Sequence, residues 1–150
     1  MNLFSTIYRL NKWYVIRLQE LCSTHDITPV QWLVLHHIDE NDNCTSMDIV
    51  KEWSVEKPTV SSLVRKLSEQ HLIQFTSGKD KRQKYLSLTT EGKTRYEEIA
   101  KKVMELQTFV TEPFSDQMVN EWTEQLMIAE NRMKLYQENS SNKGGNQNEF

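Results

Sequence analysis

Apolar residues first recur at Leu3, Ile7, Leu10, Tyr14, Leu18 and Leu21, in steps of four and three that predict a helix with one long apolar seam. Such a seam needs a partner surface. Asp26-Ile27-Thr28-Pro29 then predicts a new helix start, with Thr28 as N-cap and Pro29 at the first helical position. This second helix turns Trp32, Leu33, Leu35 and Ile38 towards a core and ends in the polar run Asp39 to Asn43. Thr45 with Asp48 three residues on reads as a capping pair, opening a short helix through Trp53 with apolar positions Met47, Ile49, Val50 and Trp53. After Ser54-Val55-Glu56 comes another stripe, Val60, Leu63, Val64 and Leu67, whose start is pinned near Glu56 or Lys57 because Pro58 is tolerated only in a first turn.

Beyond His71 the period drops to two. Ile73 and Phe75 alternate with Gln74, and Leu86 and Leu88 with Tyr85 and Ser87, which predicts two strands joined through a polar Thr76 to Gln83 segment containing Gly78. Past Gly92, Tyr96, Ile99, Ala100, Val103, Leu106 and Val110 trace a helix that stops at Pro113. Ser115 caps a last helix with a seam at Trp122, Leu126, Ala129, Met133 and Tyr136. Two short helices across a tight turn followed by a hairpin make a winged helix-turn-helix, whose second helix is built to enter a major groove. The expected fold is thus mainly α with a small β-hairpin wing: one domain over residues 1–138, with the winged lobe at about 28–92, dimerisation helices at about 2–22 and 93–138, and a disordered tail over 139–150.

Charge changes the picture once it is counted by region. The chain of 150 residues carries a net charge of −3, yet residues 57–84 hold seven basic residues against two acidic ones, a local +5 that leaves −8 elsewhere. A basic lobe on an acidic body is the footprint of a protein that docks one face on phosphate. The outward side chains of the helix after the turn supply the candidates: Thr59, Ser61 and Ser62 for base edges, Lys57 and Lys66 for phosphate, and Arg65 beside them. An ordinary solvated face is the competing reading. In the hairpin, Lys79, Lys81, Arg82 and Lys84 are cationic, and Arg82 at the tip suits a narrow minor groove. Thr45 and Ser46, at a helix N-terminus, either lend N–H groups to a phosphate or simply cap.

Asp80-Lys81-Arg82, a short strand, and Leu88-Thr89-Thr90-Glu91-Gly92, placed behind a helix-turn-helix, resemble the MarR family of bacterial transcriptional regulators. The resemblance spans about Leu3 to Tyr136. It implies a homodimer with interlocking terminal helices, a pseudo-palindromic operator on double-stranded DNA, repression, and an Asp80 that aims Arg82 rather than touching DNA. It also implies an aromatic effector crevice, for which Trp13, Tyr14 and Trp32 are candidates, against their serving only as core. Two positions depart from the pattern: His71 stands where a glycine is common, and Ser62 where a basic residue is.

Cys22 and Cys44 match neither a disulfide framework nor the reactive cysteine of peroxide-sensing members, and no histidine follows His71 to form the pair of zinc-responsive ones. His36 and His37, adjacent on a helix, point apart. No cofactor, metal or catalytic residue is expected, and no glycine-rich phosphate loop or nucleophile elbow suggests an enzyme. Without a spanning segment or signal peptide, the expected location is cytoplasmic. The rival function is a winged-helix module that binds protein instead of DNA.

Overall fold

The computed structural model describes residues 1–78, 80 and 82–143, with side chains to residue 136. Six helices and one hairpin appear among them: α1 (Leu3–Ser23), α2 (Pro29–Glu40), α3 (Ser46–Trp53), α4 (Lys57–Glu69), β1 (Ile73–Ser77), β2 (Lys84–Leu88), α5 (Thr90–Thr111) and α6 (Asp116–Lys143). They fall into two compact units, residues 1–105 and residues 106 onward.

The first unit is built around α2, which buries Trp32, Val34, Leu35 and Ile38. Val34 was not among its expected core positions; a helix enclosed on several sides has no polar face to obey. Around it pack Leu18 and Cys22 of α1, Ile49 of α3, Val60, Val64 and Leu67 of α4, and Tyr96, Ile99 and Val103 of α5. Strands β1 and β2 pair antiparallel with Ile73 opposite Leu88 and Phe75 opposite Leu86, and a bridge from Leu86 N–H to the Cys44 carbonyl, 2.7 Å, ties the middle of β2 to the entry of α3. The rings of Trp32, His36 and Tyr96 pack against one another with centroids 5.7, 5.8 and 5.9 Å apart, and His36 Nδ1 lies 2.8 Å from the Tyr96 hydroxyl, so α2 and α5 are joined by polar as well as apolar contacts.

How α4 ends determines where the wing starts. His71 N–H donates to Ser68 O and Leu72 N–H to Leu67 O, both 3.0 Å, while His71 takes φ 59° and Leu67 and Leu72 are fully buried. This is a Schellman stop, in which the left-handed residue normally is glycine. The departure noted at His71 therefore leaves the turn geometry in place and moves its cost onto a histidine.

In the second unit, Ser115 caps α6 by accepting Met118 N–H at 3.3 Å, and Phe114 meets Trp122 edge-on with ring centroids 4.8 Å apart. From Asp116 to Tyr136, every residue of α6 except Val119 is exposed, including Trp122, Leu126 and Met133. Helix α6 continues to Lys143, so residues 139–143 are helical backbone where a tail was expected from 139. Nothing between Glu138 and Lys143 breaks a helix; the first breakers are Gly144 and Gly145, which lie outside the described residues with the rest of the expected tail. Three expected apolar positions are also more open than predicted: Met47 at 42%, Trp53 at 37% and Phe75 at 45%.

Candidate nucleic-acid interface

At the head of α3 the capping box forms as the sequence predicts: Asp48 N–H donates to Thr45 Oγ1 at 3.2 Å and Thr45 N–H to Asp48 Oδ2 at 2.8 Å. These bonds to Thr45 hold the Asp48 carboxyl below its ordinary range. The Thr45 hydroxyl is thus committed to capping, while Ser46 keeps its own free of any cap. Helix α3 ends on Ser54, left-handed at φ 50°, and α4 starts three residues later. With Val60, Val64 and Leu67 facing the core, Lys57, Thr59, Ser61, Arg65 and Lys66 are exposed and Ser62 is half-buried. Arg65 Nε stands 4.0 Å from Glu69 Oε1, an open surface pair that contributes little and yields easily to a stronger partner.

The wing is closed by its backbone. Asp80 Oδ1 accepts Arg82 N–H at 3.1 Å, Asp80 O accepts Gln83 N–H at 3.0 Å, and Gln83 O accepts Gly78 N–H at 3.2 Å. Asp80 thus shapes the turn that carries Arg82 through the main chain; no pair between its carboxylate and the Arg82 guanidinium occurs among the described contacts. At Gly78 any Cβ would strike the ring of Tyr85. Lys79 and Lys81 lie outside the described residues.

Helix-turn-helix and wing meet in a cleft of about 370 Å³, lined by Thr45, Ser46, Met47 and Val50 of the α3 region, Lys57 and Ser61 of α4, and Arg82, Gln83 and Lys84 of the wing. Among the described residues, three cations, several hydroxyl-bearing side chains and no carboxylate line this space. A second concavity, about 540 Å³ between the end of α2, β2 and the start of α5, is unlike it: Asp39 and Asp42 line it, and its lysine, Lys93, is bonded to Asp39 at 2.5 Å. Only the first has the charge to hold a polyanion. It gathers six of the predicted site residues, Thr45, Ser46, Lys57, Ser61, Arg82 and Lys84, while Thr59, Ser62, Arg65 and Lys66 lie on α4 outside its lining.

The MarR family model matches residues 25–83. An HTH-type transcriptional regulator of Staphylococcus aureus strain Mu50 is 36% identical over 110 residues, 73% of each chain. The chain belongs to the MarR family. A further relative, the HTH-type transcriptional regulator YwoH of Bacillus subtilis, is 33% identical over 87 residues, 58% of this chain and 64% of its own. Among solved structures, Staphylococcus aureus MarR in complex with salicylate and kanamycin superposes with a TM-score of 0.74 at 29% identity, covering 89% of this chain and 90% of that one. Staphylococcus aureus MepR in complex with DNA has a TM-score of 0.79 at 21% identity over 88% and 96% of the two chains, a likeness of fold. This MarR-family chain is a DNA-binding transcriptional regulator with a winged helix-turn-helix lobe, and not an enzyme.

Other candidates sit less close to one another than the sequence allows. Trp32 is core at 5% exposure, Trp13 is 59% exposed with Arg17 over its ring, and Tyr14 packs half-buried against the core. The first and second therefore occupy different environments. Cys22 and Cys44 are fully buried, and burial pushes both thiols up to about 11, helped at Cys44 by the negative charge of Asp48. Among the described residues no group of three or more metal-ligating side chains comes together, and no helix is long and apolar enough to cross a membrane. Gln83, a cleft residue, is not among the site candidates that the sequence offers.

Proposed function

We propose that this regulator acts in the cytoplasm as a homodimer that represses transcription by occupying a pseudo-palindromic operator. Each protomer sets α4 into a major groove and lays the wing, led by Arg82, into the adjoining minor groove. The observation that carries this reading is the cleft in which the recognition helix, the head of α3 and the wing present cations and hydroxyls without a carboxylate. Two such lobes on a two-fold axis fit successive major grooves roughly 34 Å apart. The exposed seams of α1 and α6 support the dimer: Leu3, Leu10 and Trp13 on one, Trp122, Leu126 and Met133 on the other. An aromatic effector would release DNA by favouring a different separation of the two recognition helices. The relative solved with salicylate supports that chemistry.

Fluorescence anisotropy on the intergenic DNA upstream of its own gene tests the reading, at two salt concentrations and against scrambled competitor. Tight binding that resists the competitor and weakens steeply with salt is expected, since each phosphate neutralised releases counterions. Affinity that is equal for scrambled DNA, or indifferent to salt, would overturn it.

A further inference from the structure

Gln83 lines the cleft and has no part in the reading above. Its side chain is already oriented. The Tyr85 hydroxyl donates to Gln83 Oε1 at 2.8 Å, which occupies the acceptor end of the amide. The Nε2 end, with two N–H donors, has no partner among the described residues. Gln83 is fixed at its backbone as well, since its carbonyl accepts from Gly78 N–H, and Gly78 leaves room for the Tyr85 ring.

We propose that Gln83 is a DNA-contacting residue whose Nε2 donates to a backbone phosphate seated in this cleft, and that Tyr85 is the positioning residue that turns the donor end of the amide towards it. The proposal rests on the DNA-binding reading. A phosphate fits better than a base edge for two reasons. The lining is donor-rich and cationic, with Lys57, Lys84 and Arg82 sharing the cleft with Gln83 and no carboxylate among its described residues, whereas a base edge offers acceptors mixed with donors or methyls. The cleft also lies between the recognition helix and the wing, the elements that enter two different grooves, and the strand separating those grooves is sugar-phosphate.

A neutral donor has a signature distinct from that of a lysine. Removing it weakens binding by the same factor on every sequence, yet leaves the salt slope unchanged because no counterion was displaced. Gln83→Glu keeps the size and the acceptor for Tyr85 but replaces donors with a second carboxylate oxygen, so it repels the phosphate where Gln83→Ala only abandons it. Tyr85→Phe keeps the ring against Gly78 and releases the amide to rotate.

The experiment uses the full-length chain and the duplex that it enriches from a randomised pool. Affinities of wild type, Gln83→Ala, Gln83→Glu, Tyr85→Phe and Arg82→Ala are compared at two salt concentrations, with thermal midpoints as the folding control. The duplex is then remade with single neutral methylphosphonate linkages. We expect Gln83→Ala to lose about tenfold, the scale of one hydrogen bond to a charged group, uniformly over single-base variants and with the wild-type salt slope. Gln83→Glu loses more and Tyr85→Phe less, and one methylphosphonate position abolishes the difference between wild type and Gln83→Ala. A loss below about twofold for both Gln83 variants, a loss confined to one base pair, or no linkage that couples to Gln83 would each overturn the proposal. If those failures accompany a clear loss in Arg82→Ala, the regulator reading stands alone; if wild type enriches no sequence, both fall.

Discussion

The hydroxyl of Thr89 donates a 2.7 Å hydrogen bond to the carbonyl oxygen of His71, while accepting the N–H of Gly92 at 2.9 Å. One threonine thus fastens the residue that ends α4 to the first turn of α5, bracketing the wing at its root. Thr89 N–H adds a 3.0 Å bond to Leu72 O, and Gly92 is buried against that same carbonyl. The Leu-Thr-x-x-Gly pattern is therefore a clamp that sets where the hairpin leaves and re-enters the lobe.

That clamp has no room for a methyl group. A Cβ on Gly92 would collide with the Leu72 carbonyl oxygen, a backbone atom that cannot swing aside. Gly92→Ala should destabilise the fold by about 2 kcal/mol, the usual scale of overpacking, and lower DNA affinity through a displaced wing. Urea unfolding of the two proteins checks the first part, and an unchanged midpoint would mean that α5 shifts freely.

His71 offers the opposite change. Its φ of 59° costs a residue bearing a Cβ about 1 kcal/mol or more, and its side chain is exposed. His71→Gly should therefore stabilise the chain by about 0.5–1 kcal/mol after the added freedom of the unfolded state is subtracted. A lower urea midpoint for this variant would show that the imidazole makes a contact worth more than the strain.

These two residues also show what the sequence can and cannot disclose. The N-caps at Thr28 and Thr45, the proline starts at Pro29 and Pro58 and the change of period after His71 are local, and each element they predict is present. Local signals do not report what surrounds an element. Val34 is buried because α2 is enclosed, and Phe75 is open although it pairs with the buried Leu86, whose own strand is bridged to Cys44. The site was legible as a set of cations and hydroxyls. It was not legible as a cleft, since bringing Ser46 to Gln83 depends on the bridge between Cys44 and Leu86, and no periodicity encodes a single cross-chain hydrogen bond.

Arg82 should outweigh its neighbours in binding. Its backbone is held by Asp80 at 3.1 Å while its guanidinium remains exposed and uncommitted among the described contacts. Arg82→Ala is expected to lower operator affinity by at least about tenfold and to reduce the salt slope by about one. Asp80→Ala, which loosens the turn without removing a cation, should lose less affinity and keep the slope. Salt-dependent anisotropy separates them; an equal slope for wild type and Arg82→Ala would remove the guanidinium from the phosphate and groove contacts.

Both thiols should be silent at neutral pH. With values near 11 against an ordinary 9.0, Cys22 and Cys44 stay protonated in the folded chain and are shielded from reagents. Native protein should resist iodoacetamide at pH 7 and react at both positions in urea, as mass spectrometry would show. The sign of the linkage follows. Above pH 9 the unfolded thiols ionise while the native ones hold their protons, so stability is undiminished below that value and declines as pH rises towards 11. Fast alkylation of the native chain would reopen a redox role.

The last helix should decide whether the regulator assembles. Leu126 lies in a seam with Trp122 and Met133, and at 45% exposure it retains ample apolar surface for a second copy to cover. A carboxylate placed there cannot leave water without a partner, so Leu126→Asp should break the dimer, whereas Glu124→Ala, away from the seam on α6, should not. Light scattering at micromolar concentration reads the mass directly. Operator affinity should fall with the dimer, by about a hundredfold or more, because two lobes on one duplex bind with an effective concentration that a single lobe lacks. A Leu126→Asp protein that remains dimeric would move the interface off this seam; one that is monomeric yet binds as tightly as wild type would show that a single lobe suffices.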